Sequence, residues 1–213
     1  MNVLEETWNG FSDEIAGKYL KTFGAPSLDS KRILADILES YAHQRGTLKL
    51  IELGCGNGQL AEYFVQRGLN FDYTGVDFSR PLLAAARKTF ESSQNVHFIN
   101  GDVHNLADVS GTFDFAIYSH VIELLSSPEK SLRSSKRLAR GIIIRFYEPP
   151  EADATTVELR NMEMGDSGAV PHPYIRWTMG RDFYRLILAQ LGVKSVDIYR
   201  SEAKDQVHVL HFE

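Results

Sequence analysis

The sequence predicts an α/β fold: a doubly wound, mostly parallel sheet with helices on both faces. Short β-rich runs alternate with amphipathic helical stretches from residue 48 to 147, which is the pattern of βαβ units. A glycine-rich turn follows the first of those runs directly, where a parallel sheet offers its ligand site. Only about five residues join the last two β-rich runs, too few for a parallel crossover, so these are expected as an antiparallel hairpin that reverses the last strand.

Each element has its own signal. Ile33, Leu34, Ile37, Leu38 and Tyr41 recur at helical spacing behind Asp29 or Ser30 as a cap, which predicts a helix over 30–43. LKLIEL at 48–53 is the first strand, 59–67 the next helix, and 73–77 the second strand. Ser79 suits a cap and Pro81 the first turn, where a missing N–H costs nothing, with Leu82, Leu83, Ala86 and Phe90 on the apolar face. Strands are expected at 96–100 and 113–119. Ser127 and Pro128 open a helix that gives way to Ile142, Ile143 and Ile144, a run suited to a strand buried on both faces. A helix over 179–191 with Phe183, Leu186 and Ile187 on one side precedes the final runs at 193–199 and 206–212, the sixth and seventh strands.

Between them, 148–177 shows no periodicity and holds four of the seven prolines with Gly165 and Gly168, so it reads as an insertion or long loop. Loops longer than about 15 residues are usually functional. A mobile lid over an acceptor site is expected there, and 1–45 is expected as an N-terminal helical cap of one single domain spanning 1–213.

Composition narrows the function classes. The chain has 213 residues, 43% of them hydrophobic and 24% charged, and a net charge of −5, which gives no general attraction to nucleic acid or anionic lipid. Neither is expected as a partner. Cys55 is the single cysteine, the opening MNVLEETWNG carries acids where a signal peptide needs bases, and no apolar run reaches membrane-spanning length, so a cytoplasmic location is expected.

The most informative stretch runs from Glu52 through Gly54, Cys55, Gly56, Asn57 and Gly58. It is G-x-G-x-G preceded by an acid, whereas a dinucleotide loop is usually G-x-G-x-x-G, which argues against a nicotinamide dehydrogenase. Asp77 closes the second strand 19 residues after Gly58, where a carboxylate can accept hydrogen bonds from both ribose hydroxyls. The ligand is expected to contain a nucleoside.

IELGCGNG resembles the first motif of class I S-adenosylmethionine-dependent methyltransferases of the small-molecule type, and VDFS, INGDVHNL and FDFAIYSHVIELL resemble the later motifs in order. The resemblance covers about residues 47–147 and implies a Rossmann-like seven-stranded sheet with a reversed last strand, S-adenosyl-L-methionine as cofactor and S-adenosyl-L-homocysteine as product. It implies that Gly54 and Gly56 wrap the methionine portion, Glu52 lies near its amino end, Asp77 holds the ribose, Phe78 lies against the adenine, and Asp102 beside Val103 meets the adenine amino group. Ser119 and His120 would sit nearest the methionine amine and the methyl. Trp8, Phe11 and Tyr19 would fall in the cap. Relatives with H-V-[IL]-E-H in the turn after the fourth strand hold a divalent ion there; here Leu124 replaces the final His, so no metal is expected.

Other signals have plainer readings. Gly165, Asp166, Ser167 and Gly168 spell a protease tetrapeptide without the two barrels and separate His and Asp that it needs. His208 and His211 lie three apart on a strand and face opposite sides of the sheet. Arg133, Lys136, Arg137 and Arg140 form a solvated basic face, and Asp114 reads as a structural strand-edge acid.

The reaction expected is methyl transfer from the sulfonium to an oxygen, with nitrogen next, of a small-molecule metabolite. His120 is the candidate general base, with an ordinary imidazole pKa near 6.5, and His172 and Tyr147 are the other catalytic candidates. Glu148, Tyr174 and Trp177 would line the pocket, with Arg145 and Arg176 available for an acidic group. The alternative is a non-catalytic nucleoside-binding or regulatory domain of the same fold.

Overall fold

Helix α1 (Asp29–Arg45) leads into strand β1 (Leu48–Leu53), and the chain then alternates α2 (Gln59–Gln66), β2 (Phe71–Asp77), α3 (Arg80–Thr89) and β3 (Val96–Asn100). Next come β4 (Phe113–Ser119), a 3-10 turn (Ile122–Leu124), α4 (Pro128–Lys136) and β5 (Ala139–Phe146). The chain ends with β6 (Thr156–Met162), β7 (His172–Thr178), α5 (Arg181–Leu191), β8 (Ser195–Arg200) and β9 (Gln206–His211). This computed structural model describes residues 29–162, 172–202 and 204–213, so Trp8, Phe11, Tyr19 and the tetrapeptide at 165–168 lie outside the described residues. No helix among the described residues is long and apolar enough to cross a membrane.

Seven strands form one sheet in the order β3-β2-β1-β4-β5-β9-β8. The first five are parallel; β9 runs antiparallel between β5 and β8, which is the hairpin expected from the short final link. Strand order reverses between β1 and β4, and an open α/β sheet binds its ligand beyond the carboxyl ends of the strands at that switch point.

Alternation along the strands feeds two cores. Leu50, Tyr73, Ile117, Ile143 and Val209 face α1, α2 and α3 through Leu34, Leu38, Phe64, Leu83 and Phe90. Ile51, Val76, Tyr118, Ile142, Ile144 and Leu210 face α4 and α5 through Leu132, Tyr184, Ile187 and Leu191. Ile142, Ile143 and Ile144 are fully buried, as a central strand covered on both faces requires.

Two expectations change. The segment 148–177 is no structureless loop, for β6 and β7 make a separate two-stranded antiparallel ribbon with Val157 opposite Trp177 and Leu159 opposite Ile175. Its signal is the short alternation Val157, Glu158, Leu159, Arg160, too brief to stand out among the prolines and glycines. Ser30, expected at the helix start as a cap, is instead fully buried and bonded to residues far along the chain.

A close approach between β4 and β5 fixes one residue type. A Cβ on Gly141 would lie 2.7 Å from the ring of Phe115, its register partner. Gly141→Ala should therefore cost about 1–3 kcal/mol through overpacking. Calorimetry should show a lowered Tm that adding Phe115→Leu partly restores.

Candidate active site

The glycine loop is built to sit close to its neighbours. Gly54 has φ +75°, and a Cβ there would come within 2.3 Å of Val121, so only glycine lets the loop pack on the turn after β4. Gly56 has φ +54° with open space where its Cβ would be, apart from Leu82 at 3.9 Å. The amides of Gly54 and Cys55 both donate to the Val76 carbonyl, which ties the loop to the end of β2.

Asp77 completes that tie. One carboxylate oxygen accepts from the Gly56 amide and the other from the Ser79 amide, each at 2.8 Å. The acid thus caps the start of α3 and shapes the glycine loop at once, and the lone pairs left over are what a ribose would use. Burial raises its pKa while the amides of Ser79, Gly56 and Phe78 oppose that rise. Cys55 is buried against Gly75, and burial pushes its thiol well above the usual range, consistent with a packing role.

Glu52, one residue before the end of β1, is buried and accepts from the Tyr73 hydroxyl. Burial pushes its carboxyl up to about 8, against the opposing pull of Tyr73, Arg145 and Lys31. Lys31, turned inward from α1, lies over the Tyr63 ring, and burial with Arg145 lowers its pKa.

At the end of β4 the chain is strained. His120 has φ +57°, the one non-glycine among the described residues with positive φ, and such outliers cluster at functional sites. Its neighbour Ser119 accepts from Arg145 at 2.7 Å, and Arg145 also donates to Ser30 at 2.9 Å. The guanidinium reaches His120 Nδ1 at 3.5 Å, and Asp205 lies 3.8 Å from Nε2. Arginine only donates, so Nδ1 accepts and the ring proton resides on Nε2.

The expectation of an ordinary imidazole base is thereby corrected. Burial, then the charges of Arg145, Arg176 and Lys31, drive the His120 pKa down to about 2, and its Nε2 presents a donor that is buried without a partner. Arg145 is likewise committed to its own hydrogen bonds, not free for an acidic group.

The far wall comes from β5 and the ribbon. Tyr147 meets His120 edge to face at 5.6 Å and lies under the Arg176 guanidinium at 4.6 Å. Arg176 Nη2 stands 3.8 Å from Glu148, whose other oxygen accepts from Thr178. The amide of Glu148 donates to Glu123 at 2.6 Å. Glu123, set in the 3-10 turn, is fully buried, and burial pushes it up to about 7 while the amides of Glu148 and Tyr147 and the charge of Arg176 pull the other way. Its second oxygen makes no hydrogen bond, and neither do Nε and Nη2 of Arg176. His172 opens β7 opposite Met162, with its side chain outside the described residues.

On the side of β3, Phe78 is half-buried and Asp102 exposed. Asp102 accepts from both the amide and the ring of His104, which commits one of its oxygens. Val103 turns its side chain into the core and its carbonyl accepts from Ser131. Sequence reasoning missed Asp205 and Lys31, for which no local signal exists, and set Glu123 aside although it stands within the quoted turn motif.

A glycine loop and an acid at the switch point of this sheet order define a nucleoside-binding α/β domain. Residues 50–141 match the family model of a methyltransferase domain. A demethylmenaquinone methyltransferase of Thermus thermophilus is 28% identical over 148 residues, covering 65% of each chain. A malonyl-[acyl-carrier protein] O-methyltransferase of a Paenibacillus species is 26% identical over 61% of this chain and 49% of its own. A non-reducing polyketide synthase of Aspergillus terreus is 27% identical over 55% of this chain, which spans only 5% of that synthase. Among solved structures, the CcbJ methyltransferase of Streptomyces caelestis superposes with a TM-score of 0.71 at 15% identity over 97% of this chain and 98% of its own, and DesVI of Streptomyces venezuelae with 0.64 at 15% over 94% and 99%. At such identities these two speak for the fold. Residues 50–141 are thus similar to methyltransferase domains, and the chain shares the fold of these two structures.

The buried Glu52 sets a pH signature. It stays protonated in the folded chain up to about 8 but ionises near 4.5 when unfolded, so the unfolded state binds fewer protons between those values and stability falls as pH rises through them. Glu52→Gln removes that penalty. Its Tm relative to the parent should rise between pH 5 and pH 8 in ligand-free thermal melts.

Proposed function

We propose that the chain binds S-adenosyl-L-methionine across the carboxyl ends of β1, β2 and β3 and transfers its methyl to an oxygen, with nitrogen next, of a small molecule held between β4, β5 and the ribbon. The observation that carries this reading is the set of buried polar atoms without hydrogen-bond partners around Tyr147: His120 Nε2, Glu123 Oε2, and Nε and Nη2 of Arg176. Unpaired buried polar groups are costly, and a chain keeps them where a ligand completes them. The name of the Paenibacillus relative, an O-methyltransferase, supports oxygen as the first choice.

A sulfonium methyl is already activated, so the protein's work is to align the nucleophile in line with the C–S bond and to exclude water. Glu52 and Ser119 border the methionine end, Asp77 the ribose, and Phe78 and Asp102 the adenine. The ribbon strand β7 closes the acceptor side through Arg176 and Thr178, so the described ribbon serves as the wall over that site. A hydroxyl acceptor must lose its proton. His120 offers an N–H and positions the acceptor oxygen, while the free oxygen of Glu123, in a carboxyl poised near neutrality, takes the proton.

Two experiments test this. S-adenosyl-L-methionine or S-adenosyl-L-homocysteine should raise the Tm, and Asp77→Ala should lose about 1–3 kcal/mol of that binding in calorimetry. NAD stabilising the protein where the sulfonium nucleoside does not would defeat the reading, and binding with no methyl acceptance across a metabolite screen would favour the non-catalytic alternative. With an acceptor in hand, turnover should rise with pH through about 7 as Glu123 ionises. Glu123→Gln should lower the rate by about 10²-fold and abolish that limb, while His120→Ala slows the reaction and keeps it.

A further inference from the structure

Strand β6 hydrogen-bonds to β7 and to no other described strand, which leaves its outer edge unpaired. The body of the protein is met by β7 instead: Arg176 lies on Tyr147, Thr178 donates to Glu148, and Trp177 stacks on Phe183 at 6.0 Å. On β6, Thr156, Val157, Glu158 and Leu159 are all exposed, with Val157 at 52% and Leu159 at 73%. An open strand edge carrying exposed apolar side chains is a template for another strand, and natural proteins cover such edges.

The order of charges on β6 selects the occupant. Glu158 and Arg160 flank Leu159 symmetrically. When two copies of this strand pair antiparallel about a two-fold axis at Leu159, Glu158 of each stands opposite Arg160 of the other, and the two Leu159 side chains meet. The neighbouring symmetric registers, centred on Glu158 or Arg160, set like charges opposite each other, which destabilises cross-strand pairs. Within one chain the same two side chains already pair at 2.7 Å on the surface. An exposed pair of that kind contributes little, so redirecting both charges across an interface costs little.

We propose that the outer edge of β6 pairs antiparallel with β6 of a second copy of this chain, in the register centred on Leu159, to give an isologous dimer spanned by a four-stranded ribbon. Because β7 carries Arg176 and lies on the inner side of each ribbon, the pairing also braces the wall of each site. The inference stands on the edge and its charges alone and does not depend on the methyl-transfer reading.

The test is a charge swap read by sedimentation equilibrium and light scattering on the full chain. The parent protein should be a dimer at micromolar concentration. Glu158→Arg places arginine opposite arginine at both symmetry-related positions and should raise the dimer dissociation constant by about tenfold or more. Glu158→Arg combined with Arg160→Glu reverses every charge and restores each opposite pair, so dimerisation should return to near the parent value. That double variant carries the same first substitution, so its recovery separates loss of the interface from loss of folding. A parent protein that stays monomeric to about 100 µM overturns the proposal, as does a dimer that survives the single reversal or one that the double swap fails to restore.

Discussion

The buried guanidinium of Arg145 ties this molecule together. Arg145 is 4% exposed, and burial draws its pKa down to about 10 against the pull of Asp205, Glu52 and Glu123. Taking a guanidinium out of water costs several kcal/mol unless its donors are satisfied. Ser30 from α1 and Ser119 from the end of β4 supply acceptors, and Asp205, which leads into β9, accepts from Ser30 in turn. Four segments distant in sequence meet at one charge. The first helix, the end of β4 and the reversed hairpin are therefore held in a common frame, and His120 takes its tautomer from that frame.

The site is expensive to maintain. Its cost shows in the left-handed backbone of His120, in a carboxylic acid at Glu52 that folding holds in its protonated form, and in buried polar atoms of Glu123 and Arg176 that make no hydrogen bond. The sheet beneath is close-packed and continuous on both faces, with Ile51, Ile117, Ile142 and Ile143 excluded from water altogether. Strain of this sort persists only when the surrounding packing over-determines it. The two halves of the molecule thus divide the work: one supplies stability, and the other spends it at the strand ends.

The cofactor half and the acceptor half also differ in how they are assembled. Glu52, Gly54, Gly56, Asp77 and Asp102 each lie at or just past a strand end, so once β1, β2 and β3 align their positions follow from strand length. The family match at 50–141 covers that half. The proposed acceptor wall comes from Tyr147, Glu148 and Arg176, beyond the matched stretch, and from a ribbon whose described strands join no other sheet.

The sequence by itself determined the sheet and its ligand edge. Period-2 and period-3.6 patterns report which face of an element meets the core, and LKLIEL, the run of three isoleucines and the glycine turn are local patterns of that kind, so the strands at 48–53, 96–100 and 113–119 fall where they were expected. Asp77 was legible as an acid at a strand end for the same reason, though its task of gripping the Gly56 amide was not. The tertiary structure alone decided that Ser30 faces inward, that Arg145 is committed to the frame, that His120 Nδ1 faces the Arg145 guanidinium, and that burial lowers the pKa of His120 and raises that of Glu123. Burial and opposing charges set those properties. Each depends on residues 25 or more positions away, such as Arg145 on His120 and Glu148 on Glu123, and no local pattern in a sequence encodes a distance across the fold.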